Sequence, residues 1–471
     1  MTDIPFRTAR ELRAALGARE LSAREVVQAH LDQIDRVNPR VNAVVTVVAE
    51  RALAEAASAD ERAARGADLP PLHGIPVAHK DTHETAGIRT TFGSPLHADH
   101  VPERDELVIE RMRAAGVISL GKTNVPEFAA GSHTFNPVFG ATRNPYDPGR
   151  SAGGSSGGAA AALATGMHPL ADGSDLGGSL RNPASFCNVV GFRPSTGRVP
   201  SWPAPLGWSG LATAGPMART VADAALLLSV LAGPDPRSPI ALDAPGEVFA
   251  RPLDRDVRGL RIAWSPDLGG SVPVEPEVAD VVEASAKAFA DMGCVVERDC
   301  PDFTGADEAF RILRAWQFAV KFGPLLASAR DRLKDSIVWN TEEGLRLSAT
   351  DVGRAEVRRT ELFHRFREFF TRYDFLVLPV SQVPPFDGEL EYPVRVAGQD
   401  METYLDWMRS AYFVTVSGSP ALSVPAGFTP DGLPVGVQIV GPHRADFAVL
   451  QLGHAFEQAT QVGRQRPAVA R

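Results

Sequence analysis

Two serine-glycine segments and one lysine carry the residue types and spacing that hydrolytic chemistry needs. The first segment, Ser151–Gly158, reads SAGGSSGG and runs into the helix-forming stretch AAAALATG. Glycines permit positive φ and close backbone approach. The helix that follows presents unpaired N–H groups and the positive end of its dipole, so the turn can hold an anion or a developing oxyanion. The second segment, Gly173–Arg181, reads GSDLGGSLR. Gly177 and Gly178 stand directly before Ser179, and they let consecutive N–H groups point at one spot, as an oxyanion hole beside a nucleophile requires. Asp175 and Arg181 flank this turn and can pair to hold it. A base is available in Gly74–Asp81, GIPVAHKD, where Lys80 ends an apolar run and is expected at the C-terminal end of a buried strand. Burial disfavours the ammonium form, and a neutral lysine is a general base near pH 7.

Several readings compete for these residues. A phosphate loop needs a lysine after its glycines, and none follows here. Gly153–Gly157 also fits G-x-S-x-G, an elbow with Ser155 as nucleophile, which would take its histidine from residues such as His364, His443 or His454. The chain has 11 histidines, so none is singled out. A flexible linker fits poorly, because the loop sits between apolar elements. The remaining reading makes Ser179 the nucleophile and needs the first segment and Lys80 as its company.

The elements around these segments alternate. The first 65 residues read as helices, with capping boxes at Thr8/Glu11 and Ser22/Glu25. From Leu72 to Gly197, short apolar runs such as Gly74–Ala78 and Gly116–Leu120 alternate with helical stretches such as Glu106–Ala115. That pattern predicts α/β layers around a parallel or mixed sheet. A third box, Thr220/Asp223, opens an apolar helix through Leu231. Pro234–Pro252 reads as a surface connection. Strands are expected at Leu260–Trp264, Cys294–Glu297, Phe375–Pro379, Ala421–Pro425 and Val435–Val440, with helices at Val278–Met292 and Phe447–Ala459. Residues 305–371 are helical and rich in charge, and fit a lid over a cleft.

The net charge of −9 argues against a nucleic-acid partner. Three cysteines without CxxC spacing argue against a disulfide framework or a zinc knuckle. No window reaches the roughly 18 apolar residues of a membrane span, and no signal peptide is evident. A cytoplasmic protein, monomeric or homodimeric, is expected.

GIPVAHKD, GKTNVPEF (Gly121–Phe128), SAGGSSGG, GSDLGGSLRNPASFCNVVGFRPS and GPMARTVADAALLL (Gly215–Leu228) together resemble, in order, the signature of the amidase signature family. GSPALSVPAGF (Gly418–Phe428) and GLPVGVQIVG (Gly432–Gly441) resemble its ending. The resemblance implies an α/β fold with a mixed, twisted sheet flanked by helices on both faces, and a helical lid region. It implies one amidase domain over 1–471: N-terminal helices in 1–66, a catalytic core in 67–235, a variable part with a helical cap in 236–410, and a return to the core sheet in 411–471. By position Lys80 matches the family's catalytic lysine, Ser155 the bridging serine that follows a cis peptide bond, and Ser179 the nucleophile. Leu176, Gly177 and Gly178, with Ser179, match the oxyanion-hole segment. Ala129, Ala130 and Gly131 match the segment lining the acyl pocket, with Ser156, Trp202 and Trp208 expected nearby, and Phe135 and Phe139 as further walls. His79 and Asp172 depart from the usual apolar residues. The implied activity is amide hydrolysis through an acyl-enzyme on a small-molecule substrate, without metal or cofactor. Carbamate or urea-type substrates use the same machinery. The glutaminase-like subunit of tRNA-dependent amidotransferases shares the signature, but VPSWPAPLGWSG (Val199–Gly210) resembles free-standing amidases. A catalytically silent binding protein would not need Lys80, Ser155 and Ser179 together.

Overall fold

The computed structural model of the chain describes residues 3–470. Helices α1 (Ala9–Gly17) and α2 (Ala23–Val41) start at the two expected boxes. At each, the Thr8 or Ser22 hydroxyl accepts from the N3 N–H, and the N3 glutamate reaches back to the cap N–H. α2 ends on Asn42 in the left-handed region. The chain then forms strand β1 (Val44–Val47) before helix α3 (Ala49–Ala64). β1 corrects the expectation that this region is helical throughout. Its sequence, VVTV, is β-branched at every position and fits a sheet better than a helix.

β2 (Pro76–Lys80), helix α4 (Leu107–Ala114) and β3 (Ile118–Thr123) form a crossover unit, with β2 and β3 parallel and β1 antiparallel to β3. Helix α5 (Gly157–Ala164) is buried along its whole length, as an all-apolar helix must be. Gly158 allows this: a Cβ there would lie 2.3 Å from the Asn124 nitrogen. β4 (Leu170–Asp175) leads into helix α6 (Arg181–Phe186), followed by β5 (Val190–Arg193), β6 (Thr213–Ala218) and helix α7 (Val221–Leu231). At the head of α7 the Thr220 hydroxyl accepts the Asp223 N–H, but the box is not reciprocal. The Asp223 carboxylate accepts the Ala9 and Arg10 N–H groups at the start of α1 instead, at 2.8 and 3.1 Å.

β7 (Arg261–Trp264), α8 (Pro276–Asp291) and β8 (Val295–Arg298) follow. The helical segment comprises α9 (Ala306–Ala329), α10 (Asp335–Arg346) and α11 (Ala349–Phe369), as its composition predicted. β9 (Phe375–Pro379), α12 (Arg409–Ser417), β10 (Ala421–Phe428), β11 (Pro434–Val440) and α13 (Asp446–Thr460) complete the chain. Eight strands form one mixed sheet in the order β8-β7-β9-β11-β10-β5-β6-β4. β7, β8 and β9 are parallel to one another, and the neighbours from β9 onward are antiparallel.

β2 runs beside β4 without a backbone ladder. Side chains close the seam. The Ala78 N–H donates to His168 Nδ1 at 3.2 Å, and the Lys80 N–H donates to Asp172 Oδ1 at 2.8 Å. This seam, where β2, β4 and the start of α5 converge, positions the site.

Candidate active site

Lys80 is the last residue of β2 and is fully buried. Its Nζ lies within hydrogen-bond distance of Ser155 Oγ (2.8 Å), Ser156 Oγ (2.9 Å) and Ser174 Oγ (3.0 Å), and as an ammonium it can donate to all three. Burial draws the ammonium down to about 7, against Asp175, Asp172 and Glu106, which favour the charged form. The serines stand where they do because the glycine loop is clamped. The Thr134 hydroxyl donates to the Gly153 carbonyl at 2.8 Å, and the Ser132 hydroxyl donates to the Gly154 carbonyl at 2.6 Å. Gly153 has φ +72°, and a Cβ on it would meet Pro183 Cα at 2.8 Å. The Gly154–Ser155 peptide bond is cis.

Ser179 sits in the turn between β4 and α6 and is half-buried, whereas Ser155 and Ser156 are buried. Asp175 builds this turn. It accepts from the Gly178 N–H (2.9 Å), the Leu180 N–H (3.2 Å), and Arg181 Nε and Nη2 (3.0 and 2.9 Å), with Arg193 Nη1 at 3.2 Å. Burial alone would raise the Asp175 carboxyl, but Arg181 and Arg193 outweigh it and hold the group well below the usual carboxylate range. The expected Asp175–Arg181 pair is therefore present.

One expectation changes here. The Gly178 N–H is bound to Asp175 and does not point at the cleft, so it is not a free oxyanion donor. Outside that bond, the N–H groups of Gly177 and Ser179 have no partner among the described residues. Gly178 is still required as a glycine: φ is +110°, and a Cβ would lie 2.6 Å from Ala411 Cβ. Gly178→Val therefore displaces the turn and the Ser179 N–H with it. We expect a loss in kcat of about 10²-fold or more, as removal of an oxyanion donor gives elsewhere. Steady-state rates on protein with native circular dichroism check this, and a near-normal rate would separate the turn from catalysis.

Ser179, Ser155, Ser174, Leu176 and Ala129 open on one cavity of about 350 Å³. Of the expected pocket residues, only Ala129 lines it. It follows Phe128, and both adopt left-handed φ (60° and 49°) in a loop pinned by Glu127, which accepts from Ser94 Oγ at 2.6 Å and the Lys334 N–H at 2.8 Å. Ala130 is buried in a neighbouring apolar cluster and Gly131 faces Lys334. Ser156 faces Lys80 instead of the cavity. Trp202 lies against the guanidinium groups of Arg104 and Arg237, and Trp208 is 81% exposed. Phe135 and Phe139 lie under Lys334 and Arg89. The walls are instead Phe92, Phe128, Phe318 and Phe322, with Val199 and Ile240. The sequence reading missed Ser174, His83 and Glu106, and the face of α9 that borders the cavity. Arg314, Gln317, Phe318, Lys321 and Phe322 repeat at helical spacing, and that period was the available signal.

The histidines proposed for an elbow are elsewhere. The His443 ring lies against Phe363 with Nδ1 at the Gly418 carbonyl, His364 lies beside Phe363, and His454 is next to Glu457. Ser155 has Lys80 as its partner.

The two departures from the family pattern are partners. His79 Nδ1 lies 2.6 Å from Asp172 Oδ2, and His79 Nε2 lies 3.0 Å from Ser119 Oγ. The other carboxylate oxygen of Asp172 holds the Lys80 N–H. His83, 3.9 Å away, also faces Asp172. The carboxylate favours the Lys80 ammonium, so removing its charge lowers the lysine pKa further. Asp172→Asn keeps an acceptor for the Lys80 N–H. If activity needs neutral Lys80, the acid limb of kcat/KM moves to lower pH, by about 0.5 to 1 unit. A limb that stays in place would leave Asp172 only a role in holding the strand.

A lysine buried at a sheet seam against three serine hydroxyls, beside a fourth serine open to a cavity, defines a serine-lysine type of hydrolase site on an α/β scaffold. Comparison with known proteins agrees. The Amidase family model matches residues 25–450. An acylamidase from Rhodococcus erythropolis is 37% identical over 98% of this chain and 97% of its own length. A glutamyl-tRNA(Gln) amidotransferase subunit from Acidothermus cellulolyticus is 38% identical over 98% and 95%. Among solved structures, a bacterial aryl acylamidase of the amidase signature family superposes with a TM-score of 0.92 at 30% identity, covering 99% of this chain and 98% of its own. The chain belongs to the amidase family, whose fold it has, and is a hydrolase of amide C–N bonds. No helix among the described residues is long and apolar enough to cross a membrane.

Proposed function

We propose that the chain hydrolyses N-acyl amides through an acyl-enzyme on Ser179, with Ser155 and Lys80 as its proton relay. The observation that carries this reading is the 2.8 Å contact of buried Lys80 with Ser155 in the cavity that Ser179 enters. A neutral amine has two N–H donors and one lone pair. Ser156 and Ser174 can accept the two donors, which leaves the lone pair for the Ser155 O–H. Ser155 passes its proton to Lys80 and takes the proton of Ser179. Ser179 Oγ then attacks the amide carbonyl. The N–H groups of Gly177 and Ser179 stabilise the oxyanion. Lys80 returns its proton through Ser155 to the departing amine, and the same relay activates the water that releases the acid. None of these steps calls for a metal or an organic cofactor.

The phenylalanine walls support an apolar or aromatic part in the substrate, in keeping with the broad amidase reaction. Carbamates and related urethanes fit the same chemistry. The likeness to an amidotransferase component supports a second reading, release of ammonia from glutamine for a partner enzyme. A hydrolysis screen of the purified chain separates them. Aliphatic amides, anilides, carbamates, esters and glutamine are compared by kcat/KM. Turnover of acyl amides or anilides without a partner is expected. Activity on glutamine alone would overturn the acylamidase reading.

A further inference from the structure

The cavity wall formed by α9 holds a cation without a counter-ion. Arg314 is only 6% exposed, yet its partners are neutral. Nε donates to Asn340 Oδ1 at 3.0 Å, Nη2 donates to Tyr404 Oη at 2.7 Å, and the guanidinium lies 4.3 Å from the Phe318 ring centroid. Tyr404 in turn donates to Asn340 at 2.7 Å, which fixes both anchors. Nη1 donates to no protein group among the described residues. Other buried arginines of this chain are paired: Arg181 and Arg193 with Asp175, and Arg198 with Asp446. A buried charge is ordinarily paired, because the cost of taking it out of water has to be offset by a partner.

The surroundings add a second cation. Lys321 lies two turns further along the same face of α9 and also lines the cavity, and no carboxylate lies within ion-pair distance of it among the described residues, Glu106 favouring its charged form only from further off. Glu106 is the one carboxylate among the cavity residues, and it is engaged by His83 Nδ1 at 2.9 Å. This wall therefore carries two positive charges without an ion-pair partner among the described residues, one of them, Arg314, held in place by Asn340 and Tyr404.

We propose that Arg314 anchors a carboxylate on the substrate, so that the amides this enzyme prefers carry an anionic group at a set distance from the scissile bond. This rests on the acylamidase reading above and adds to it the class of substrate. An Arg–carboxylate contact made by a guanidinium that is itself buried is a charge-assisted pair and strong for that reason. Lys321 supplies long-range attraction and a second contact at the mouth.

Two substrate series test the proposal. One consists of anilides of ω-carboxyalkanoic acids of increasing length, each matched to an analogue with isopropyl in place of carboxylate. The other consists of N-acyl aminobenzoates matched to isopropylanilines, which moves the charge to the amine half. In wild-type enzyme the best charged member of at least one series exceeds its neutral match by about tenfold or more in kcat/KM, chiefly through KM. In Arg314→Gln that ratio collapses toward one. In Lys321→Gln, where the side chain is exposed and folding is not at issue, the ratio falls in part and the remainder is weakened by salt. Absence of any preference for the charged members in wild-type enzyme overturns the proposal without a variant, as does an undiminished ratio in a folded Arg314→Gln. If no member of either series is cleaved, the acylamidase reading fails as well. Cleavage of the neutral members with no gain from charge leaves that reading standing and removes this one.

Discussion

Ser179→Ala leaves no measurable amide turnover and no covalent labelling by a fluorophosphonate. The expected loss is about 10⁴-fold or more, the scale seen when an acyl-transfer nucleophile is removed. Ser155 cannot take over. It is buried, it is held by Lys80 at 2.8 Å, and its loop is clamped by Thr134 and Ser132. Ser179 by contrast is half-buried and opens on the cavity. The alanine variant should fold, because the Asp175 bonds that build the turn involve the backbone of Gly178 and Leu180 and the arginines, and not the Ser179 hydroxyl. Intact-mass measurement after labelling reads the result directly. A labelled variant would make Ser155 the nucleophile and revive the elbow reading.

What was legible in the sequence was local. The strand ending at Lys80, the Asp175–Arg181 pair and the two capping boxes each depend on residues within a few positions of one another. Chain chemistry at that range is set by backbone geometry and leaves a pattern. The cavity was legible only in part because its walls come from distant segments. Phe318 and Phe322 reach it from a helix far along the chain from Ser179, and nothing in their local sequence says which face of α9 turns inward toward what. Trp202 and Trp208 are expected at the pocket, but their loop turns them toward arginines and solvent. Ser156 was placed in the pocket beside Ser155, yet it turns to the lysine. Gly178 illustrates a different limit. Its glycine character was readable, but the partner of its N–H was not, because Asp175 satisfies that donor only once the turn has closed. The same holds for Asp172, whose value to a buried histidine and to the Lys80 backbone exists only across the seam between two sheets.

Lys80→Ala loses both amide and ester hydrolysis, and loses amide hydrolysis more. The relay gives Lys80 two separate jobs. It takes the proton of Ser179 through Ser155, and it returns a proton to the leaving group. A phenolate leaves an acyl centre unaided, whereas an amine leaves poorly unless it is protonated. Positioned proton transfer contributes about 10²- to 10⁴-fold. An activated phenyl ester therefore reports the first job, and an anilide with the same acyl group reports both. We expect the anilide to lose roughly one to two powers of ten beyond the ester, within that range. Using one acyl group cancels the cavity contacts of Phe128, Phe318 and Phe322. The variant leaves a space lined by Ser155, Ser156 and Ser174, polar enough for water, so a thermal melt must accompany the rates. Lys80→Met, which conserves volume, separates loss of the amine from loss of packing. Acylation must limit the rate on both substrates, which the absence of a pre-steady-state burst checks. Equal losses on anilide and ester, in a folded variant with acylation limiting, would confine Lys80 to activating Ser179 or to holding the glycine loop in place.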